Sequence, residues 1–158
     1  MSTRAVVQID DGEEKWSIYC HGDGHPRFIG KRVYQLVQKA PIIDPNFHSI
    51  ETPPPSYNNP KSHQNWAPNV AIHSDKFCAV LLGELWEDYG GAYLTKRDPE
   101  KEIKEDWTDI EHLYKVKLCG SSNHLKTPKF SWWTPNKKKF VKHTKQEFLK
   151  EITGGENE

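Results

Sequence analysis

Hydrophobic positions in this chain of 158 residues follow two rhythms, and each rhythm predicts a different element. From Arg4 to Ile9 the chain alternates, with Ala5, Val7 and Ile9 on one side and Arg4, Val6 and Gln8 on the other. Lys15 to His21 alternates again, with Trp16, Ile18 and Cys20 against Ser17, Tyr19 and His21. Asp10-Asp11-Gly12 between the runs is turn chemistry, so the pair reads as an antiparallel hairpin. Its apolar face is Ala5, Val7 and Ile9 with Trp16, Ile18 and Cys20. Arg4, Tyr19 and His21 then share the opposite face. Antiparallel pairing sets Arg4 beside His21, because one strand starts where the other finishes.

After the hairpin the rhythm becomes helical. Phe28, Ile29, Val33, Leu36, Val37 and Ala40 predict a helix over 26–39, opened by Pro26 and ended by Pro41. Asp23 is its candidate N-cap. Residues 41–68 hold seven prolines and little periodicity, and read as a long ordered loop or a mobile flap. Asn69 can cap a second helix, striped by Val70, Phe77, Cys78, Leu81 and Leu85 and ended by Gly90-Gly91. Ala92 to Thr95 reads as a short strand, and Lys96 to Asp109 as an exposed charged loop. Glu111 to Leu118 alternates. Phe130 to Thr134 and Phe140 to Lys142 flank a turn at PNKKK and make a second hairpin. Thr144 to Ile152 predicts a closing helix. The sum is an α+β domain over 1–153, an antiparallel sheet of about five or six strands with two main helices on one face, and a frayed tail at 154–158.

Charge adds a feature that the rhythm does not carry. The net formal charge is zero, yet 84–112 contains ten acids and four bases, while 113–150 contains ten lysines and one glutamate. The two blocks either screen each other in the fold or leave a basic face for a polyanion. Lysines that fall largely in turns and exposed strand positions favour screening. Cys20, Cys78 and Cys119 are scattered and form no CxxC pair, and no signal-like or membrane-length apolar run occurs. These features point to a reducing cytoplasm, with no membrane contact.

Chemistry-bearing residues crowd one connection, YCHGDGHPRFIG, from Tyr19 to Gly30. The opening Met1-Ser2-Thr3-Arg4, then Tyr19, His21, Asp23, Gly24, Pro26 and Gly30, then Asn69-Val70-Ala71, Gly90-Gly91-Ala92-Tyr93-Leu94-Thr95 and Glu111-His112-Leu113-Tyr114, run in order along most of the chain. In these positions the chain resembles a widespread family of short bacterial and phage proteins that begin MSTR and carry a YxHxDGxP strand-to-helix junction. The resemblance implies an α+β layout and a prokaryotic or phage origin, and it supplies no reaction. Gly22 and His25 stand where that family usually has Trp and Tyr.

Four candidate chemistries follow. A helix N-terminus with Gly24 close by, near Arg4, His21, Asp23 and His25 and followed by Lys31 and Arg32, suits a phosphate or nucleotide. The structural alternative is that Asp23 caps the helix and Arg4 pairs with Asp23 or a buried carbonyl. His21, Asp23 and His25, with His48, His63 or His73, have ligand types for a transition metal, but their spacing is not a zinc framework. Cys20 beside His21 points to the other strand face, which argues against a nucleophile pair, and Ser2 is a weaker N-terminal nucleophile. Lys129, Lys137, Lys138 and Lys139 interleave with Trp132 and Trp133, as in single-stranded nucleic-acid binders. No cofactor and no established catalytic constellation is indicated. The favoured expectation is a non-catalytic binding protein that engages a host or defence protein. A small enzyme or sensor for a phosphorylated or nucleotide-like ligand, and a nucleic-acid binder, are the alternatives.

Overall fold

The computed structural model describes residues 2–40, 73–88, 91–120 and 126–154. Strands β1 (Ala5–Asp10) and β2 (Lys15–Cys20) form the first hairpin. Its register is the one the alternation predicts: Ala5 opposite Cys20, Val7 opposite Ile18, Ile9 opposite Trp16. A π-helical turn at Pro26–Gly30 leads into α1 (Lys31–Lys39). Then come α2 (Ser74–Asp88), β3 (Ala92–Leu94), α3 (Pro99–Lys104), β4 (His112–Lys117), β5 (Lys129–Asn136), β6 (Lys139–Lys142) and α4 (Lys145–Ile152). The expected loop at 41–68, the Asn69 cap and the last four residues of the expected tail lie outside the described residues.

The six strands run in the order β3-β2-β1-β4-β5-β6. All neighbours are antiparallel except the central pair, β1 and β4, which run parallel. The α+β class holds, with a sheet that is mixed at its centre. Ala5, Val6, Val7 and Ile9 are all inaccessible to solvent, because Ala5, Val7 and Ile9 lie in the core of one face and Val6 in the smaller core of the other.

The first face carries the larger core. Val7, Ile18, Tyr114, Val116 and Trp132 of the sheet pack against Val33 and Leu36 of α1, Phe77, Leu81 and Leu85 of α2, and Phe148 of α4. α4 opens with a capping box, in which the Thr144 side chain accepts from Glu147 N–H and the Glu147 side chain accepts from Thr144 N–H.

The second face corrects the expected charged loop at Lys96 to Asp109. Within it lies α3, capped by Asp98 with Pro99 in the first turn, and Ile103 and Ile110 pack on Val6, Tyr19, Leu113 and Phe140. The segment reads as surface because its buried inward residue, Glu102, is charged. Arg97 makes that burial tolerable by donating to both Glu102 oxygens, at 2.8 and 2.7 Å.

The turn of the first hairpin also anchors α2. Asp11 Oδ1 accepts from the backbone N–H groups of Glu13 and Glu14, and Oδ2 accepts from Ser74 N at 3.0 Å and Ser74 Oγ at 2.7 Å. Desolvation opposes ionisation, but the donors from Glu14, Ser74 and Glu13 outweigh it and hold the carboxyl well below the usual range. Asp11→Ala is expected to lower stability at neutral pH by about 1 kcal/mol, the usual worth of such a cap. The folded carboxyl titrates below its unfolded value, so this stabilisation is complete above about pH 4 and fades as the pH falls further. Thermal unfolding of both proteins across pH checks it: their midpoints should converge in acid.

Candidate functional site

The junction is built around a tyrosine that sequence reading did not single out. Tyr114, fully buried on β4, donates its hydroxyl to the Gly24 carbonyl at 2.7 Å. Gly24 N–H donates to Thr3 O at 2.8 Å, and a Cβ on Gly24 would lie 2.7 Å from the Ala5 Cβ and 2.8 Å from both Ala5 N and Thr3 O. A Cβ on Gly30 would lie 2.9 Å from the Tyr114 ring. The two glycines therefore stand where the connection touches the sheet, and no side chain fits at either.

Asp23 does not cap the helix, contrary to expectation. It takes φ 55°, a left-handed conformation that Asp tolerates, and this reverses the chain so that Gly24 meets Thr3. The cap is His25 instead, whose Nδ1 accepts from Arg27 N–H at 3.2 Å while Nε2 lies 3.3 Å from Glu151 Oε1. Phe28 N–H donates to His25 O and Ile29 N–H to Asp23 O. These partners engage the N–H groups that were expected to face an anion.

The other expected residues divide between the two faces. Arg4 and His21 do share the second face, but Arg4 pairs with Asp109 at 2.9 Å and not with Asp23. His21 Nδ1 lies 3.4 Å from the Tyr19 hydroxyl, and its carbonyl accepts from the Ser2 hydroxyl. Lys31 is exposed at the start of α1. His21, Asp23 and His25 do not converge: among the described residues no group of three His, Cys, Asp or Glu side chains could hold a metal ion. His73 is exposed, and His48 and His63 lie outside the described residues. Cys20 is buried in the first core, apart from the His21 side chain, and burial pushes its thiol up to about 12.

Around Arg4 the second face carries an ion network. Arg97 reaches Asp109 at 2.6 Å as well as Glu102, and its guanidinium lies 5.1 Å over the Tyr19 ring. The Arg4 Nε, though buried, has no hydrogen-bond partner among the described residues.

Compared with protein-family models, curated proteins and solved structures, the chain matches none. Its site must be read from its own geometry.

Three further features bring together residues distant in sequence. The first is a histidine and tryptophan cluster on the helix-covered face. Trp132 Nε1–H donates to His112 Nδ1 at 3.0 Å, so that nitrogen carries no proton. The His143 ring stacks on Trp132 at 4.0 Å, with Thr134 Oγ1 2.7 Å from its Nε2, and His25 meets His112 edge-on at 5.6 Å. A cavity of about 540 Å³ opens beside Trp132, His143, Tyr34 and Phe148. Trp132 is only 8% exposed, so it supports the core and presents no ring to a nucleic-acid base.

The second is the outer corner of the sheet. β3 pairs only with Ile18, Tyr19 and Cys20, which leaves Lys15 and Trp16 beyond its reach. Trp16 is 36%, Tyr93 50% and Leu94 49% exposed, and a groove of about 520 Å³ runs between Trp16, Ser17, Leu94 and Thr95. The third is a lysine-lined groove on the second face, beside Lys129. The other expected nucleic-acid lysines, Lys137, Lys138 and Lys139, sit at the β5–β6 turn, where Lys138 pairs with Asp106 at 2.8 Å.

Two variants test these assignments. Tyr114→Phe should destabilise the fold by about 1–3 kcal/mol, because the Gly24 carbonyl loses its partner in a buried place. A denaturant titration reads this directly. Burial, followed by the charges of His25 and His143, holds His112 down at about 4. Its folded value lies below the unfolded one, so stability should fall as the pH drops from about 6.5 to 4 and level off below. His112→Asn, which keeps an acceptor for Trp132, should flatten that part of a pH–stability profile.

Proposed function

We propose that the chain is a non-catalytic binding protein that engages another protein through the β2–β3 corner of its sheet. The observation that carries this reading is the exposure of Trp16 and Leu94 around one groove, with the exposed Tyr93 on the other face of the same edge strand. Large aromatic and aliphatic side chains at a short, partly unpaired edge are the usual anchors of a protein contact. An extended segment of a partner would extend the sheet beside Lys15 and Trp16 and seat its side chains in the groove. The prokaryotic or phage origin that the sequence resemblance implies makes a host or defence protein the proposed partner, met in the cytoplasm of that host.

A second reading is kept because the Arg4 Nε is buried without a partner. It is a small phosphorylated or nucleotide-like ligand held at Arg4 and His21. Nucleotides that raise the thermal midpoint of the wild type, and not of Arg4→Ala, would favour it.

For the principal reading, a photocrosslinking residue at Lys96, which lines the groove, should trap a discrete partner in bacterial lysate. Leu94→Asp with Trp16→Ala should weaken binding to that partner at least about tenfold, since such anchors dominate contact energy. The thermal midpoint should barely change, because both side chains are already exposed. Unchanged binding by the double variant rules out this corner.

A further inference from the structure

We infer that the half of the second sheet face left open by the described residues binds single-stranded nucleic acid through its phosphates, at a surface separate from the β2–β3 protein contact. Among the described residues, α3 covers one end of that face only. The rest is crossed by two rows that the register defines. In one, Lys15, Asp10, Lys117 and Lys129 lie side by side on β2, β1, β4 and β5. In the next, Ser17, Gln8, Lys115 and Ser131 do the same. A groove of about 290 Å³ is lined by Gln8, Lys15, Lys115, Lys117, Lys129 and Lys142, among others.

Two observations point to an anionic ligand. The first is charge. Five lysines line the groove against Asp10, while Glu100 reaches it only by pairing with Lys115 at 2.7 Å. Lys15, Lys117, Lys129 and Lys142 make no ion pair among the described residues. Lys117 and Lys129 are direct cross-strand partners, an arrangement that like charges disfavour. The second is Gln8, which is 5% exposed, lines the same groove, and makes no side-chain hydrogen bond among the described residues. Its amide atoms are not among the buried side-chain atoms that lack a partner, so they open to the groove, where a phosphate oxygen would accept from the N–H groups.

The layout selects a single strand. Strands about 5 Å apart set Lys117 beside Lys129, with Lys15 beyond Asp10 in the same row, a line of charge that one backbone can follow over a flat surface. Among the described residues no helix or ribbon projects from this face to enter a duplex groove. Lysine supplies point charges without the paired donors of arginine, which suits phosphates read without sequence preference. The sequence expectation of nucleic-acid binding therefore keeps Lys129 and gains Lys15, Lys115, Lys117, Lys142 and Gln8. Base stacking on Trp132 is not part of it.

The test is fluorescence anisotropy of a labelled oligothymidylate with the full chain at rising salt. Binding at low salt should weaken with a log–log slope of about −3, for four or five phosphate contacts at roughly −0.7 each. Lys117→Glu with Lys129→Glu should weaken it at least about tenfold, while Lys137→Glu with Lys138→Glu at the turn changes it less than about threefold. Lys129→Glu alone separates binding from folding. By pairing with Lys117 it should raise the thermal midpoint by about 1–3 °C at low salt while weakening the complex. Absent binding at low salt overturns the inference, as does equal loss from the turn variant. So does tighter binding of a duplex of the same length, or equally effective competition by polyglutamate or inorganic phosphate.

Discussion

The hydroxyl of Tyr114 on the carbonyl of Gly24 ties the centre of the sheet to the start of the helical layer, and much of the molecule follows from that bond. Tyr114 sits on β4, the strand that runs parallel to β1, so it lies deep in the first core. For its hydroxyl to find an acceptor there, the connection after β2 must come down onto the sheet. That approach leaves no room for a Cβ at Gly24 and requires the reversal at Asp23. The Tyr114 ring then occupies the space beside Gly30, where the π-turn passes into α1. The cluster of polar residues at this connection is thus organised first by one buried hydroxyl. His25 acquires its two partners, Arg27 N–H and Glu151, because the chain is already fixed on either side of it.

The second face depends on a different constraint, the cost of burying charge. Glu102 is tolerated only because Arg97 grips both of its oxygens and Thr108 donates a third bond. The same guanidinium binds Asp109, which in turn binds Arg4 at the start of the central hairpin. This chain of charges pins α3 and the segment after it over Val6, Tyr19 and Leu113. It ends there. Among the described residues, the remainder of the face has neither a helix nor apolar side chains to receive one, and its floor is Gln8.

Local pattern carried most of the fold. Alternation gave both hairpins, the register of the first, the face of each strand residue and the shared side of Arg4 and His21, because a period of two leaves little choice once one face is apolar. The stripe of α1 and the closing helix over 144–152 were equally plain. Features that depend on residues distant in sequence were not. Glu102 reads as surface until Arg97 is seen beside it, so α3 was missed. Asp23 has the right chemistry for a cap, but Thr3, on another element, decides its backbone. The parallel pairing of β1 with β4 leaves no local mark, and without it Gln8, Lys115 and Ser131 cannot be placed in one row.

That non-local pairing also settles what the opposed charge blocks do. Mutual screening was the favoured expectation, and it holds where acids from the middle of the chain reach a lysine: Glu100 meets Lys115, and Asp106 meets Lys138. Two more of these acids, Glu102 and Asp109, are committed elsewhere, taken by Arg97 and Arg4. α3 holds this acidic block over one half of the face, and Lys117 and Lys129 lie on the other. Zero net charge therefore conceals a local excess of positive charge. A fold selected for stability alone would place an acid opposite Lys117, as β1 does with Asp10, whereas β5 presents a second lysine. Two neighbouring lysines that share one acid, beside an amide that makes no side-chain hydrogen bond among the described residues, are the arrangement that an anion from outside the chain completes.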